Sequence, residues 1–475
     1  MKVKFSKGVI TCSQLAKWCG GVLPNEHGAD LLIDGICTDS READETTAFC
    51  ALRGERVNGH DYIENVLAAG CRCILCETSA PAIEQAQAVA VVVEDTELAL
   101  AKLANAYGKL IPFHGVGVTG SVGKTTTKEM IASVLSVDHK TFKTAGNHNS
   151  LVGMPLSMLE IPADTQWAVL EMGMSGFGEI ERLSNVAEPE IAVITNIGSS
   201  HMEMLGSRKN ICRAKLEILS GLKNGGTLIL NGDEPLLAGI GGKNYRTVYV
   251  SLERENCDFF AKNIRVENGY TQFDLVWEQG TVKDLQINVM GRHNVYGALF
   301  AFAVGVTSGM AVESVRAGLL NFATGGLRQE ITPCGDMIFL EDCYNASPES
   351  MKAALEVLQT YCKQTARRGV AVLGDMLELG TQSCEMHRSI GALVARMNID
   401  CLVALGSLGK QIAHGARRAG MDRVIELDLT DGASCEAAAD ALCEYLQPCD
   451  AVLFKASRGM GFERVIGALK RRAEQ

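Results

Sequence analysis

The stretch from Gly115 to Met130, reading GVGVTGSVGKTTTKEM, narrows the possible folds more than any other part of this chain. An apolar run, a glycine-rich turn holding Gly120, Ser121 and Gly123, and then Lys124 and a run of threonines describe a strand, a tight loop and the start of a helix. Backbone N–H groups of such a turn and of a helix N-terminus converge on an anion. Lys124 adds a mobile positive charge, and the Thr125 hydroxyl suits a Mg²⁺ ion. Glycine is required because side chains would block the approach. The strict G-x-x-x-x-G-K-[ST] pattern wants glycine where Val118 stands, so the signature is truncated at its front to TGSVGKT. The flanking strand and helix supply the context the motif needs, and the segment reads as a nucleoside triphosphate cradle.

Such a loop needs a parallel sheet behind it, and the length leaves room for more. The chain has 475 residues, beyond the ~250–300 at which a single core stops growing. The expected fold class is α/β in three domains, bounded at 1–110, 111–328 and 329–475. A hydrophobic fraction of 47% with 21% charged residues is ordinary for a globular protein with large cores. The net charge of −11 argues against a general nucleic-acid binder, which needs a basic surface. Small anions remain compatible, because a local cradle overrules net charge. The N-terminal MKVKFSKGVITCSQLAKW lacks the apolar core of a signal peptide, and no stretch approaches the ~20 apolar residues that span a bilayer. The expectation is a cytoplasmic protein with no transmembrane segment. Among the 17 cysteines, Cys71, Cys73 and Cys76 in AAGCRCILCE mimic a metal cluster. Strand alternation predicts Cys71 and Cys73 on one face and Cys76 on the other. No partner pair follows at zinc-finger spacing, so buried structural thiols are expected.

In the first domain, a short helix around Leu15–Trp18 and strands at 36–41, 47–52, 73–76 and 90–93 alternate with a helix at 63–69. Asp39, Ser40 and Arg41 form a polar turn after a strand, readable either as a capped turn with a surface arginine or as a diphosphate contact. Asn58, Gly59, His60 and Asp61 form a second polar loop. In the second domain, apolar strands run into Glu171-Met172-Gly173 and into Ser199-Ser200-His201. Ligands of open α/β sheets bind beyond the carboxyl ends of strands, which makes Glu171 and His201 metal candidates. The alternatives are a solvated glutamate and a histidine satisfied by backbone. Thr144 to Ser150, TAGNHNS, is too polar for core and reads as a binding loop. Arg213 to Leu219 is an amphipathic helix on which Lys215 reads as a surface lysine. His293 and Asn294 open an apolar helix, and Gly325-Gly326-Leu327-Arg328 reads as a hinge. Beyond it, strand and helix alternate through a mostly parallel, Rossmann-like third domain. Its strand ends are polar: Glu341-Asp342-Cys343-Tyr344-Asn345, Gly374-Asp375-Met376 and Lys455-Ala456-Ser457-Arg458.

Taken in series, TGSVGKTTTKEM, NHNSLVGMPL, EMGMSG, ITNIGSSHMEMLGS, RAKLEI, GRHNVYGAL, EDCYNASPESMKAAL, VLGDMLELG and KASRGMGFERV resemble the Mur ligases, ATP-dependent amide-forming enzymes of peptidoglycan synthesis. Within that family they resemble the branch that adds D-alanyl-D-alanine to UDP-N-acetylmuramoyl-tripeptide. The resemblance covers all three domains and implies an acyl-phosphate mechanism with ATP and two Mg²⁺ ions. It places the ATP phosphates on the loop from Gly120 through Ser121, Val122, Gly123, Lys124 and Thr125 to Thr126, with Thr125 on the Mg²⁺ that bridges them. Glu171 and His201 resemble the ligands of a second Mg²⁺, joined by Lys215 as a carbamate, an anionic oxygen ligand where a free ammonium would repel the metal. Lys124, His201 and Lys215 are then the catalytic set. His293 and Asn294 resemble adenine contacts, Asp342 the ribose carboxylate, and Arg328 an arginine near the nucleotide. Asp39, Ser40, Arg41, Asn58, Gly59 and His60 look like UDP-binding turns, Asn147 and Asn149 like contacts to the UDP-sugar, and Tyr344, Asn345, Ser347 and Arg458 like contacts to the dipeptide.

The chain departs from the family at Asn58 (commonly aspartate), Cys343 (serine), Ser347 (asparagine) and Ala456 (glycine). No residue is singled out as the base for the attacking amine; His387 is a candidate. A monomer is expected. The nearest rival, the ligase adding the third amino acid, is disfavoured by GDMLELG and by the lack of an Asn/Asp-Pro-Arg block. A second rival is a nucleotide-driven binding switch that performs no ligation.

Overall fold

The computed structural model describes residues 1–24, 28–54, 56–267, 269–428 and 432–473. Three main sheets succeed one another along the chain, each with helices packed on it. The first has five strands in the order Lys2–Lys4, Gly35–Cys37, Thr47–Cys50, Cys73–Cys76 and Val89–Val92. Its first pair is antiparallel and the others are parallel. Thr47–Cys50 and Cys73–Cys76 are buried throughout, as parallel strands covered on both faces must be.

The expected orientation of the cysteines is corrected here. The strand begins at Cys73, so alternation holds only from there. Cys73 and Leu75 join one apolar cluster, while Cys71, Ile74 and Cys76 join the other. Cys71 lies in the turn before the strand, where its thiol donates to the carbonyls of Thr47 and Cys73, both at 3.3 Å. All three are buried free thiols.

The second sheet has nine strands, ordered Gly280–Ile287, Tyr270–Trp277, Phe259–Glu267, Arg246–Ser251, Thr227–Asn231, Ile191–Ile194, His114–Thr119, Trp167–Glu171 and Thr141–Lys143. All neighbours from Phe259–Glu267 to Thr141–Lys143 are parallel, and the first two strands close the sheet with antiparallel hairpins. The phosphate-loop strand, His114–Thr119, therefore lies between two strands that both come later in the chain. The chain builds first to one side of it, through Thr141–Lys143 and Trp167–Glu171, and then crosses to the other at Ile191–Ile194, which opens a crevice at its carboxyl end. Glu171 ends one neighbour, and Thr195 to His201 follow the other.

The loop helix, Lys124–Leu135, covers one face of this sheet. Met130, Ile131 and Val134 pack there with Phe300 and Phe302 of Asn294–Thr307. The opposite face has no boundary with the first sheet. Val3, Leu15 and Leu103 share one apolar cluster with Leu156, Leu170 and Leu183.

The third sheet is ordered Glu330–Cys334, Met337–Glu341, Ala451–Lys455, Gly369–Leu373, Cys401–Leu405 and Val424–Leu427. It is parallel except for its first strand and has separate apolar clusters on its two faces. This is the expected Rossmann-like alternation. At its junction with the second sheet, Gly326, Leu327 and Gln329 have φ of 70°, 62° and 52°. Left-handed backbone at the two non-glycine positions is a strained conformation. No described helix is long and apolar enough to cross a membrane.

Candidate active site

The phosphate loop is braced from the neighbouring strand end. Val122 N–H donates to Asn196 Oδ1 at 2.9 Å, Ser121 N–H to the Asn196 carbonyl at 3.1 Å, and Thr195 Oγ1 to the Val122 carbonyl at 2.7 Å. That close approach explains Gly120, where a Cβ would lie 1.8 Å from Thr195 Oγ1. Gly123, left-handed with φ 81°, turns the chain into the helix, whose first N–H groups have no partner within the helix. Lys124 Nζ donates to the Gly120 carbonyl at 2.8 Å. Its pKa is lowered, first by burial and then by the charge of Arg328, against the raising effect of Glu171.

Glu171 stands at the end of a strand buried along its whole length and is 1% exposed. Its Oε1 accepts from Asn149 Nδ2 at 2.8 Å and Thr125 Oγ1 at 3.1 Å. Its Oε2 is buried and meets no hydrogen-bond donor among the described residues, with Lys128 Nζ 3.5 Å away. Leaving such an oxygen unpaired costs about 1–3 kcal/mol. A hard cation beside Thr125 would satisfy it, so the donor set fits Mg²⁺.

His201 has φ 63° ahead of the short helix Met202–Leu205, and its Nδ1 lies 2.8 Å from Glu378 Oε2. Lys215 departs from the expected surface lysine. It sits on the inner side of Arg208–Leu216 with Ile211 and Ala214 and is 1% exposed. Burial, reinforced by the charge of Lys124, holds its pKa well below that of an ordinary lysine. Arg208, Lys209 and Arg213 stay exposed, and Lys215 falls on the buried stripe of the helix, so what misleads here is the usual preference of a lysine for the surface.

On the other wall, Asn294 Nδ2 donates to the Met290 carbonyl at 2.8 Å and to Gln329 Oε1 at 2.6 Å. Gln329 Nε2 then donates to His293 Nε2 at 3.1 Å. This places the ring proton on Nδ1, which is buried and has no hydrogen-bond partner among the described residues. Burial lowers the His293 pKa to about 4, so the ring is neutral near pH 7 and offers one donor. Asp342, just after Met337–Glu341, receives Lys455 Nζ at 2.6 Å. The Arg328 guanidinium lies 3.8 Å above the Tyr344 ring, with Arg458 at 5.9 Å. Ser347 caps Pro348–Thr365, and Asn345 Oδ1 accepts from the Ala346 N–H at 2.8 Å. The walls touch where Ser199 Oγ donates to Glu349 Oε1 at 2.8 Å and Glu203 N–H to the Glu378 carbonyl at 3.3 Å.

One cleft is thus lined by Ser121, Val122, Gly123, Lys124, Thr125, Thr126, Asn147, Asn149, Glu171, His201, His293, Asn294, Arg328, Asp342, Tyr344, Asn345 and Ser347. Gly120 and Lys215 lie behind its surface, and Arg458 reaches it through Tyr344. Asp39, Ser40, Arg41, Asn58, Gly59 and His60 are not on this cleft. They follow two adjacent parallel strands of the first sheet. Asp39 accepts from Arg41 Nε at 2.9 Å and Nη2 at 2.6 Å, which holds its carboxyl well below the usual range. Asn58 Oδ1 accepts from the His60 N–H at 3.1 Å and Nδ1 at 2.9 Å, while His60 Nε2 accepts from the Glu77 N–H at 2.9 Å. A Cβ on Gly59 would lie 2.8 Å from the backbone of Leu52.

His387 is unsuited to act as a base. It is fully buried, its Nε2 accepts from the Met376 N–H at 2.9 Å, and its Nδ1 donates to the Ser383 carbonyl at 2.7 Å. Cys343, its thiol pushed up to about 12 by burial, and Ala456 face the core. Sequence reasoning missed Asn196, Glu349 and Glu378, which lie within quoted blocks but were given no role, Gln329, which lies in none, and Lys455, which it noted only as part of a polar strand end. It also missed Lys128, whose signal is its i+4 spacing from Lys124.

Three Mur ligase domain descriptions match the chain: the family's catalytic domain over residues 32–108, the middle domain over 118–305 and the glutamate ligase domain over 328–458. The chain is 39% identical to the UDP-N-acetylmuramoyl-tripeptide--D-alanyl-D-alanine ligase of Bacillus subtilis over 466 residues, covering 96% of this chain and 97% of that one. Against the ligase of the same name from Escherichia coli it is 32% identical over 476 residues, covering 97% and 98%. Among solved structures, MurF from Acinetobacter baumannii superposes with a TM-score of 0.88 at 31% identity, covering 98% of this chain and 99% of that one. MurF from Thermotoga maritima in complex with ADP gives 0.81 at 28% identity, covering 92% and 97%. With its phosphate loop, its unpaired metal-type carboxylate and three matched domains along nearly its whole length, the chain belongs to the Mur ligase family.

Proposed function

We propose that this chain is an ATP-dependent ligase that joins D-alanyl-D-alanine to UDP-N-acetylmuramoyl-tripeptide in peptidoglycan synthesis, working as a monomer in the cytoplasm. The observation that carries the reading is the single cleft that brings a phosphate loop, the unpaired Glu171 oxygen and the His293 donor together, in a chain similar over its whole length to ligases of that name. In this reading residues 1–110 hold the UDP moiety, 111–328 bind ATP, and 329–475 close over the nucleotide and present the dipeptide.

A carboxylate is a poor acyl donor. The tripeptide's terminal carboxylate oxygen attacks the γ-phosphorus of ATP, the bond to the β–γ bridging oxygen breaks, and ADP leaves. Lys124 and the N–H groups from Ser121 to Thr126 hold the phosphates and spread the charge of the transferred group. Thr125, Glu171, His201 and carbamylated Lys215 would hold Mg²⁺, which when bound supplies charge neutralisation on the phosphoryl oxygens. The unprotonated amine favoured at Lys215 by burial is the form that adds CO₂. His293 and Asn294 orient the base of the nucleotide, Asp342 the ribose, and Arg328 its phosphates. The dipeptide amine then attacks the acyl carbon. The tetrahedral intermediate expels phosphate as the C–O bond breaks, and the ammonium proton passes to solvent. Tyr344, Asn345, Ser347 and Arg458 align the amine, so that positioning supplies much of the rate.

The test is phosphate release from ATP with UDP-N-acetylmuramoyl-tripeptide, with and without D-alanyl-D-alanine. Release that requires both, with an amide product of the summed mass less water, supports the reading. Release indifferent to the dipeptide overturns it in favour of another Mur-type ligase or an ATPase switch.

A further inference from the structure

The loop helix carries a second lysine that the mechanism above does not use. Lys128 lies one turn beyond Lys124 and on the same face, and its side chain is wholly buried. A buried ammonium is tolerated only when paired and hydrogen-bonded. Lys128 Nζ donates to the carbonyls of Thr144 at 2.7 Å and Gly146 at 3.1 Å. It also lies 3.2 Å from Glu129 Oε1 and 3.5 Å from Glu171 Oε2. An ammonium has three donors, and two of them are fixed on the main chain of one loop.

That loop carries Asn147 and Asn149. Its first residue is held from three sides: Thr144 N–H donates to the Val169 carbonyl at 3.1 Å, its Oγ1 accepts from the Glu171 N–H at 3.1 Å, and its carbonyl takes Lys128. Gly146 is left-handed with φ 48°, so the chain reverses beside the second carbonyl that Lys128 holds. At the far end, the Asn149 carbonyl accepts from the Gly173 N–H at 2.7 Å and Asn149 Nδ2 reaches Glu171 Oε1 at 2.8 Å. A ring of contacts therefore runs from Lys128 through the loop to Asn149, on to Glu171, and back to Lys128.

We propose that Lys128 is a positioning residue for the sugar-peptide substrate: by holding the Thr144 and Gly146 carbonyls it sets the loop on which Asn147 and Asn149 stand, without contacting the nucleotide. The proposal rests on the functional reading above. Its consequence is selective. Without the ammonium the loop loses its anchor on the nucleotide helix, while the phosphate loop keeps its own braces at Thr195 and Asn196.

The test is calorimetric binding of UDP-N-acetylmuramoyl-tripeptide and, separately, of ADP to the full chain, to Lys128→Met, to Asn149→Ala and to the double variant, with a thermal melt of each. Two carbonyls left without a donor predict that Lys128→Met binds the UDP substrate about tenfold more weakly or worse, and ADP within about threefold of the parent. Because Lys128 acts through the loop that bears Asn149, the double variant is expected within about threefold of the weaker single one. Lys128→Gln, which retains an N–H donor, recovers part of the affinity. Unchanged substrate binding in Lys128→Met, equal loss for both ligands, or multiplicative losses in the double variant would each overturn the proposal. Should Lys128→Met not fold, Lys128→Gln decides by the same criteria, and if neither folds the lysine is structural and the proposal fails. A parent chain that binds ADP but no UDP substrate overturns the functional reading itself.

Discussion

The two candidate binding regions differ in how their polar atoms are satisfied. In the turns of the first sheet, Asp39 is paired with Arg41, and Asn58, His60 and Glu77 are joined in a chain of hydrogen bonds. In the cleft, Ser121 Oγ, Glu171 Oε2 and His293 Nδ1 are buried without a hydrogen-bond partner among the described residues, Glu171 Oε2 having only the Lys128 ammonium 3.5 Å away. Turns whose polar groups are already hydrogen-bonded need little reorganisation to meet a ligand and so can contribute affinity. Unsatisfied buried atoms are worth most to a partner that arrives with charge, because the surroundings screen it poorly. The turns are suited to hold a substrate and the cleft to act on it.

The largest effect expected from that contrast is at Lys124. Lys124→Ala should lower turnover by about 10³-fold with little change in binding of the UDP substrate, since the charge it stabilises develops in the transition state. Near-normal turnover would remove the cleft from the chemistry. Next is Glu171→Gln, which keeps an acceptor for Asn149 and Thr125 but loses the anionic oxygen. Titrating Mg²⁺ against activity should show a requirement raised by about 10²-fold; an unchanged titration would mean that the unpaired oxygen serves no metal. In the turns, Asn58→Ala and His60→Ala should raise KM for the UDP substrate by about tenfold and leave kcat within about twofold, the pattern of uniform binding. A fall in kcat instead would erase the distinction between holding and acting.

The smallest effect is on stability. The His293 pKa falls from an unfolded value of about 6.5 to about 4 in the fold, so the unfolded chain binds the extra proton first. The contribution of the neutral ring is complete above pH 6.5 and is lost as pH falls through 4. Tm should therefore drop between pH 6.5 and 4, with a shallower slope in His293→Phe; parallel slopes would contradict the buried, neutral ring.

Much of this was readable in the sequence because parallel strands buried on both faces appear as short apolar runs ending in polar residues. Trp167–Glu171, Ile191–Ile194 and Met337–Glu341 are of that kind, and the residues after them line the cleft. The hairpin strands between 259 and 287 were not legible. Register shifts between Lys262 and Arg265 and between Phe273 and Leu275 break their two-residue alternation, as bulges do. The burial of Lys215 and Lys128 was written in the helical period, beside Ile211 and Ile218 in one case and Ile131 and Leu135 in the other, and was masked because a lysine at such a position is ordinarily read as a surface residue. His387 looked chemical because an isolated histidine carries no sign of whether its nitrogens are already engaged.

The apolar cluster shared by the first two sheets has a consequence during synthesis. Val3, Leu15 and Leu103 share their cluster with Leu156, Leu170 and Leu183, while the cluster on the other face of the first sheet comes wholly from residues 37–92, so the opening segment leaves the ribosome with one of its two apolar faces unfinished. At ~5–20 residues per second, it must wait several seconds for its other half. A nascent chain halted at residue 110 should be digested readily by protease, and one halted beyond residue 240 should resist. The last Rossmann-like segment draws its two apolar clusters almost wholly from its own residues, with Met290 the buried contribution from what precedes it, and can fold soon after it emerges.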